Sequence, residues 1–193
     1  MEIEAKVRLK HPSRLQARLR SVGAKYIGRA FERNWLYDHP DRLLARADKL
    51  LRLREDRRVS LTFKGPRAQS EYKKREEMEI EFPSVSSARS FLESVGMTKW
   101  FYYEKVRETW TLDSSEIVID ELPYLGFFAE VEAATEDEID KAVKKLKLPR
   151  EFVTSTYVEL LVGLSKNNLE RHVLEFKFPQ QPQFSLPDEA GPA

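Results

Sequence analysis

The sequence predicts an α+β fold, a closed antiparallel β-barrel of about eight strands with helices packed outside it. Two observations favour this fold. Segments that alternate between charged and apolar residues, the period of a β-strand, recur along most of the chain. Short segments with apolar residues at helical spacing lie between them, and such helices need an apolar sheet face to cover. The strands are predicted at residues 1–10, 24–37, 49–54, 59–64, 71–82, 102–112, 116–120 and 127–133.

The first strand and the first helix have the clearest signals. Alternation places Glu2, Glu4 and Lys6 on one face of the strand and apolar residues on the other. Pro12 favours the first turn of a helix, and Gly23 favours its end. The segment that follows is rich in aromatic residues and leads into a turn. Taken alone, the two glutamates are weak evidence of function, because charged edge strands are common.

The strand–helix pattern restarts in the middle of the chain. Residues 21–23 and 94–96 both read Ser-Val-Gly, and aligning them places Glu4 opposite Glu77. Pro83 then opens a second helix. This similarity predicts an internal repeat of a strand–helix–strand unit, with chance similarity of two helix ends as the alternative.

Two helices and an extension complete the chain. Thr135, followed by glutamates, predicts the N-cap of one helix, and residues 152–164 predict the last one. Further on the periodicity fades, and the final residues are rich in proline and glutamine. We therefore expect one domain at residues 1–165 and a flexible C-terminal extension at residues 166–193. A lid or a homodimer contact is the alternative role for that extension.

The composition argues against several classes of protein. Lys and Arg number 33 and Asp and Glu number 32, so the net charge of +1 disfavours bulk attraction to nucleic acid or membrane. The absence of cysteine excludes disulfides and thiolate metal sites. No apolar stretch is long enough to span a bilayer, and the N-terminus lacks a basic region followed by an apolar one. These features predict a cytoplasmic protein without a nucleic-acid or membrane partner.

Charged residues dominate one face of nearly every predicted strand. A face that is merely solvated usually mixes in threonine, serine and glutamine, whereas these faces hold almost only carboxylates, guanidiniums and ammoniums. If the strands close into a barrel, the charges line its interior, where they must pair or bind highly charged ligands. In such an interior, acidic residues can chelate a divalent cation, and basic residues opposite them can hold anionic oxygens. This arrangement suits a metal-bound polyphosphate. A sheet with one face in water stays the alternative.

The charged motifs, in this order, resemble the CYTH family, also called the triphosphate tunnel metalloenzymes, over residues 1–165. The leading Glu-x-Glu-x-Lys motif of that family matches Glu2, Glu4 and Lys6. The other motifs match Arg52 and Arg54, Lys64, Arg75 with Glu77 and Glu79, Lys105 with Arg107, Asp120, and Glu130 with Glu132. Lys49 departs from the pattern, because relatives often carry an acidic residue just before the arginine strand.

Within the family the chain looks most like the class IV adenylate cyclases and their archaeal relatives. The resemblance lies in Tyr37-Asp38-His39-Pro40, in Phe63-Lys64-Gly65-Pro66, and in Ser155, Tyr157, Leu160 and Leu161. It implies an eight-stranded tunnel that binds a triphosphate and Mg²⁺ or Mn²⁺. The implied metal ligands are Glu2, Glu4, Glu77, Glu79, Glu130 and Glu132. The implied phosphate ligands are Lys6, Arg52, Arg54, Lys64, Arg75, Lys105 and Arg107. The implied catalytic residues are Lys6, Arg54 and Asp120, the last of which could orient a base or help a metal.

The same tunnel serves two reactions. In the first hypothesis, a cyclase, the ribose 3′-hydroxyl of ATP attacks the α-phosphorus, and the products are cyclic AMP and pyrophosphate. In the alternative, a triphosphatase, water attacks the terminal phosphorus of inorganic, thiamine or nucleoside triphosphate and orthophosphate is formed. A non-catalytic polyphosphate or nucleotide sensor is disfavoured, because acids and bases are both present. A cyclase also needs a nucleoside pocket, which Tyr26, Trp35, Tyr37 and Phe128 could form unless they pack in the core.

Overall fold

Ten strands and five helices form the described part of the computed structural model, which comprises residues 2–68, 72–164 and 174–180. The strands are β1 (Glu2–Leu9), β2 (Lys25–Asp38), β3 (Leu50–Glu55), β4 (Val59–Lys64), β5 (Lys73–Arg75), β6 (Glu77–Phe82), β7 (Thr98–Leu112), β8 (Ser115–Leu122), β9 (Gly126–Ala133) and β10 (Leu174–Phe176). The helices are α1 (Pro12–Ser21), α2 (Leu43–Arg46), α3 (Val85–Ser94), α4 (Glu136–Leu146) and α5 (Tyr157–Leu164). None of these helices is long and apolar enough to cross a membrane.

Nine of the strands form a nearly closed antiparallel barrel in the order β5-β1-β9-β8-β7-β2-β3-β4-β6. Its edge strands β5 and β6 are separated in sequence by Glu76, whose carbonyl accepts a hydrogen bond from the Gly65 N–H at 2.8 Å. Because β5 pairs with β1 and β6 pairs with β4, the chain itself bridges the two edges of the sheet. The predicted antiparallel barrel is confirmed. The predicted count of eight strands is one too few, because the strand predicted at residues 71–82 divides at Glu76.

On β1 the helices cover the outer face and the charged face lies inside. Ile3 and Val7 point outward and pack in one cluster with Leu19 of α1 and Ile139 of α4. Lys6 points the other way and is only 2 % exposed. This burial excludes the alternative of a water-facing sheet for β1, whereas on the edge strand β6 both Ile80 and Glu81 are exposed.

Two helices begin with the same reciprocal cap. In α4 the Thr135 hydroxyl accepts a hydrogen bond from the Glu138 N–H, and the Glu138 carboxylate accepts one from the Thr135 N–H. In α5 the same exchange joins Thr156 and Glu159, at 3.2 and 2.7 Å. The cap predicted for α4 is therefore confirmed. The start predicted for the last helix, residue 152, is wrong, because the cap at Thr156 fixes where the helix begins.

The predicted internal repeat is visible in the order of the elements. Helices α1 and α3 contain 10 residues each and are followed by Gly23 and Gly96, with φ angles of +78° and +80°. Glycine takes this left-handed conformation without the steric cost that other residues have. A strand precedes each helix, and the strands that follow, β2 and β7, pair with each other. The two similar units therefore meet at the longest strand pair of the barrel.

The C-terminal extension adds a strand that the sequence pattern does not predict. Strand β10 pairs in parallel with β7, with Leu174 opposite Phe101, and Phe176 is buried against the Phe101 ring. The single turn α2 is likewise absent from the sequence predictions. Residues 165–173 and 181–193 lie outside the described residues, so the predicted domain boundary and flexible extension stay predictions.

Replacing Leu161 by alanine is expected to destabilise the fold by about 2–5 kcal/mol. Leu161 is fully buried, and α5 uses it to close one end of the barrel against Phe101 and Phe128. Leu164 on the same helix is 55 % exposed, so Leu164→Ala is the matched control, with an expected change within about 0.5 kcal/mol. Urea unfolding measures both. Equal losses in the two variants would contradict this role of α5.

Candidate active site

A cavity of about 210 Å³ lies inside the barrel and is lined mainly by charged side chains. All the predicted phosphate-binding bases line it, namely Lys6, Arg52, Arg54, Lys64, Arg75, Lys105 and Arg107. The predicted metal ligands Glu4, Glu77, Glu79, Glu130 and Glu132 also line it. Asp120 lies behind the cavity wall, fully buried. The side chain of Glu2 falls outside the described part of the structure.

Three carboxylates from β1 and β9 come together in the cavity. Glu4 lies opposite Glu132 in the strand register, and Lys6 lies opposite Glu130. One oxygen from each of Glu4, Glu130 and Glu132 lies within 4.8 Å of the others. Carboxylates this close repel one another unless cations lie among them, and oxygen ligands of this kind suit Mg²⁺ and Mn²⁺. The donor set therefore fits a divalent cation.

The second acidic pair, Glu77 and Glu79 on β6, faces the bases. Glu77 Oε1 lies 2.5 Å from Lys64 Nζ. Glu79 Oε2 lies 3.6 Å from Arg54 Nη2 and accepts a hydrogen bond from Thr62 Oγ1 at 2.8 Å. In this arrangement both carboxylates are ion-pair partners of predicted phosphate ligands. Their role as metal ligands stays a prediction.

Lys6 joins the acidic cluster to helix α5. Its Nζ lies 3.1 Å from Glu4 Oε1 and 3.2 Å from Glu130 Oε1. The same atom lies 4.3 Å from the centre of the Tyr157 ring. Burial alone would lower the pKa of Lys6, but the two glutamates outweigh burial and raise that pKa above its ordinary value. Lys6 is therefore an ammonium ion at neutral pH, suited to holding an anion and not to accepting a proton.

Asp120 fixes two of the predicted phosphate ligands, Lys105 and Arg107, from behind, and these three residues form the Asp120 clamp. Its carboxylate accepts hydrogen bonds from Lys105 Nζ at 3.1 Å and from Arg107 Nε and Nη2 at 2.8 and 2.7 Å. The Tyr157 hydroxyl donates a further one at 3.0 Å. Of the two roles expected for Asp120, this position favours the orienting role.

Glu32 is a site residue that the sequence analysis missed. It is 2 % exposed, and its carboxylate lies 3.4 Å from Lys105 and 3.8 Å from Arg107. Burial alone would raise the pKa of Glu32, but the charges of Lys105 and Arg107 outweigh it and lower the pKa to about 2. The alternation of β2 could have predicted its position, because Glu32 lies on the same face of the strand as Leu36, which lines the cavity. The many aromatic residues of this segment made the charged position less evident.

Two guanidinium groups that line the cavity retain donors for an anion. Arg52 donates from Nη2 to Thr62 Oγ1 at 3.4 Å, and among the described residues no carboxylate lies within 4.0 Å of it. Arg75 donates to the carbonyl and the carboxylate of Asp48. The buried Nε–H groups of both arginines have no acceptor in the described ranges. Because an unsatisfied buried donor is costly, these groups fit anionic oxygens in the cavity.

The aromatic residues predicted for a nucleoside pocket lie elsewhere. Trp35 and Tyr37 point outward from β2 into a core cluster, and Phe128 packs under α5. Tyr26 makes an edge-to-face contact with Trp110 outside the barrel, with the ring centres 5.0 Å apart. Core packing, the alternative reading, therefore holds for the first three. In the part of the chain that the structure describes, the aromatic residues that line the cavity are Tyr103 and Tyr157.

The variant Asp120→Asn is expected to lose about 3–5 kcal/mol of stability, the usual cost of breaking a buried ion pair. Asparagine keeps the shape but leaves Lys105 and Arg107 without the charge that holds them. The control is Glu121→Gln, whose partly exposed carboxylate pairs loosely with Arg29 and is worth at most about 1 kcal/mol. Urea unfolding compares the two. A loss below that of the control would refute the proposed clamp.

Glu32 is expected to make stability depend on pH below its ordinary pKa of 4.5. Because the folded-state pKa is lowered, the ionised carboxylate stabilises the fold above pH 4.5, and this contribution is lost as the pH falls towards 2. Glu32→Gln should therefore be less stable than the wild type near neutral pH and converge on it in acid. Unfolding free energies measured across this range test the claim. A difference that does not change with pH would count against it.

Comparisons with known proteins agree with this geometry. The CYTH domain model matches residues 1–156. A protein of Methanocaldococcus jannaschii named “Putative adenylate cyclase MJ0240” is 29 % identical over 176 residues, which are 89 % of this chain and 94 % of that protein.

Solved structures share the fold. The PH1819 protein from Pyrococcus horikoshii is 28 % identical with a TM-score of 0.72, covering 85 % of this chain and 99 % of that one. A “putative adenylate cyclase” from Vibrio parahaemolyticus is 25 % identical with a TM-score of 0.73, covering 83 % and 97 %. HpAC1 from Hippeastrum, described as having a dominant triphosphatase activity, is 18 % identical with a TM-score of 0.67, covering 84 % and 96 %. With residues 1–156 of its 193 matched by the domain model, the chain belongs to the CYTH domain family.

Proposed function

We propose that this chain is a divalent-metal-dependent enzyme that converts ATP to cyclic AMP and pyrophosphate, as class IV adenylate cyclases do. The observation that carries the proposal is the cavity inside the barrel, where a three-carboxylate cluster lies beside seven bases. CYTH proteins depend on divalent metals and act on triphosphates such as ATP. The adenylate cyclase names of the archaeal and Vibrio relatives favour the cyclase reaction over others on the same site.

The metal is assigned to the carboxylate cluster. Glu4, Glu130 and Glu132 would hold Mg²⁺ or Mn²⁺, and Glu2 on the same strand is a further candidate. When bound, the ion would neutralise charge on the phosphate oxygens and help orient the nucleophile. Lys6, already held between two of these glutamates, places a positive charge directly beside the ion site.

The bases are assigned to the phosphate oxygens. Arg52 and Arg75 offer buried Nε–H donors without competing acceptors among the residues described. Lys64 and Arg54 pair with Glu77 and Glu79, so they must release these carboxylates before they bind phosphate oxygens. Lys105 and Arg107, held by Asp120, keep their orientation throughout, which is the preorganisation that phosphoryl transfer needs.

The bond changes follow from which phosphorus is attacked. In the cyclase reaction the ribose 3′-oxygen bonds to the α-phosphorus, pyrophosphate leaves, and the hydroxyl proton passes to solvent or to a carboxylate. Lys6 and Arg54, two of the predicted catalytic residues, would act as cations that stabilise charge on the transferred group. Because Lys6 stays protonated, it does not remove that proton.

A triphosphatase is the second candidate. The observation that favours it is the cavity wall, which has Tyr103 and Tyr157 but none of the four aromatic residues expected to hold a nucleoside. HpAC1, which shares the fold, has triphosphatase as its dominant activity. In this reaction water attacks the terminal phosphorus, the bond to the bridging oxygen breaks, the remaining diphosphate leaves, and the attacked phosphoryl group becomes orthophosphate. The sensor hypothesis ranks last, because acids and bases are both in place. Three further points stay predictions, namely that the protein binds no nucleic acid, that it can form a homodimer, and that it is located in the cytoplasm.

Phosphorus NMR of the products separates the candidates. The purified protein is incubated with ATP, and separately with tripolyphosphate, in the presence of Mg²⁺ or Mn²⁺. We expect cyclic AMP and pyrophosphate from ATP. Orthophosphate from either compound would instead support the triphosphatase. Metal-dependent binding without turnover of either would contradict both and favour a sensor.

Glu4→Gln is expected to weaken Mn²⁺ binding at least about tenfold and to reduce turnover correspondingly. The substitution removes one of the three clustered carboxylates while keeping its size. Glu55→Gln is the control, since Glu55 points out of the barrel and pairs with Arg33. Electron paramagnetic resonance of free Mn²⁺ measures the affinity. Unchanged Mn²⁺ binding by Glu4→Gln would rule out Glu4 as a ligand.

A further inference from the structure

One buried side chain of the barrel interior, Asn34, has no part in the site described above. It is fully buried, and neither Nδ2 nor Oδ1 of its amide has a hydrogen-bond partner within the described ranges. On β2 it lies between Glu32 and Leu36, on the face that points into the barrel. Packing alone does not account for a polar group at this position.

The energetics make Asn34 unusual. Nearly all buried polar groups in folded proteins have a hydrogen-bond partner. A buried group without one costs more free energy than a typical hydrogen bond contributes. An apolar side chain of similar shape would avoid this cost. A cost of this kind is typical of functional sites, where stability is lost to keep a group available.

The neighbours of Asn34 include residues of the site. In the strand register it lies opposite Arg54 on β3 and opposite Tyr103 on β7, and both line the cavity. The Arg54 Nε–H is buried and makes no hydrogen bond with the described residues. The Glu32 Oε2 atom is also buried and accepts none from them. Each atom has an ion-pair contact instead, Arg54 Nε at 3.5 Å from Asp56 Oδ2 and Glu32 Oε2 at 3.4 Å from Lys105 Nζ. A donor and an acceptor without a hydrogen bond to any described residue therefore flank an amide that offers both groups.

Arg54 is held by two carboxylates that a triphosphate could replace. Its Nε lies 3.5 Å from Asp56 Oδ2 without making a hydrogen bond, and its Nη2 lies 3.6 Å from Glu79 Oε2. A triphosphate bound by the Nη groups would draw the guanidinium from these carboxylates into the cavity. Asn34 is the neighbour of Arg54 across the strand pair and lies on the same inner face.

We propose that Asn34 is a positioning residue which, in the substrate-bound enzyme, accepts a hydrogen bond from Arg54 Nε and donates one to Glu32. This link joins Arg54 on β3 to Lys105 and Arg107 on β7, because Glu32 contacts both of those bases. A neutral amide suits the task, since it adds no charge that would compete with the phosphate. The inference rests on the proposed function, because it requires a triphosphate in the cavity.

The test compares tripolyphosphate binding, measured calorimetrically with Mg²⁺, in the wild type and in Asn34→Leu. The expected loss of affinity is about tenfold, or about 1.4 kcal/mol. The melting temperature of the free variant should stay equal or rise, because an unsatisfied amide has been removed. The control is Val106→Ala, a buried residue that points out of the barrel. It should melt lower and bind with wild-type affinity.

A second readout follows Arg54 itself. The ¹H–¹⁵N signal of the Arg54 Nε–H group is assigned by its loss in Arg54→Lys. Addition of tripolyphosphate should slow the exchange of this proton with water in the wild type but not in Asn34→Leu. If leucine does not fit, Asn34→Ala replaces it in both measurements. Wild-type affinity and protection in the variant would overturn the inference while leaving the proposed function intact. Failure of the wild type to bind tripolyphosphate would overturn both.

Discussion

Charge pairing inside the barrel is the constraint on which the rest of this structure depends. A buried ion costs several kcal/mol unless counter-charges and hydrogen bonds surround it. Lys6 is satisfied by Glu4 and Glu130, and Asp120 is satisfied by Lys105 among others. These contacts join β1 to β9 and β7 to β8, so the charges pair only while the strands keep their register. A slip by one residue would turn them onto the apolar outer face, which the helices cover.

The same charges define two states of the site. In the free protein Lys64 and Arg54 lie against Glu77 and Glu79, so carboxylates occupy positions that phosphate oxygens could take. The Asp120 clamp, by contrast, lies behind the cavity and needs no rearrangement. Binding would therefore exchange one set of ion pairs while a second set stays fixed. This division explains why a barrel full of charge can be stable before any ligand arrives.

Alternation along the strands was sufficient to predict most of the charged side chains that line the cavity, because a period of two decides which side chains share a face. Lys6 and Glu130 could be placed in one interior from sequence alone. Glu32 could not, because its partners come from β7, far away in sequence. The division of one predicted strand at Glu76 depends on which neighbour each half pairs with, and that is a property of the closed barrel. Whether Trp35 faced the cavity or the core depended in the same way on the register of β2.

If the barrel interior binds a metal–triphosphate complex, a crystal structure with tripolyphosphate and Mn²⁺ will show both ligands inside it. Anomalous scattering locates the manganese without ambiguity. We expect Mn²⁺ at about 2.0–2.3 Å from oxygens of Glu4, Glu130 or Glu132. We also expect phosphate oxygens within hydrogen-bond distance of Arg52 and Arg75, about 2.7–2.9 Å. Tripolyphosphate bound outside the barrel, or manganese away from these carboxylates, would contradict binding of the complex in the barrel.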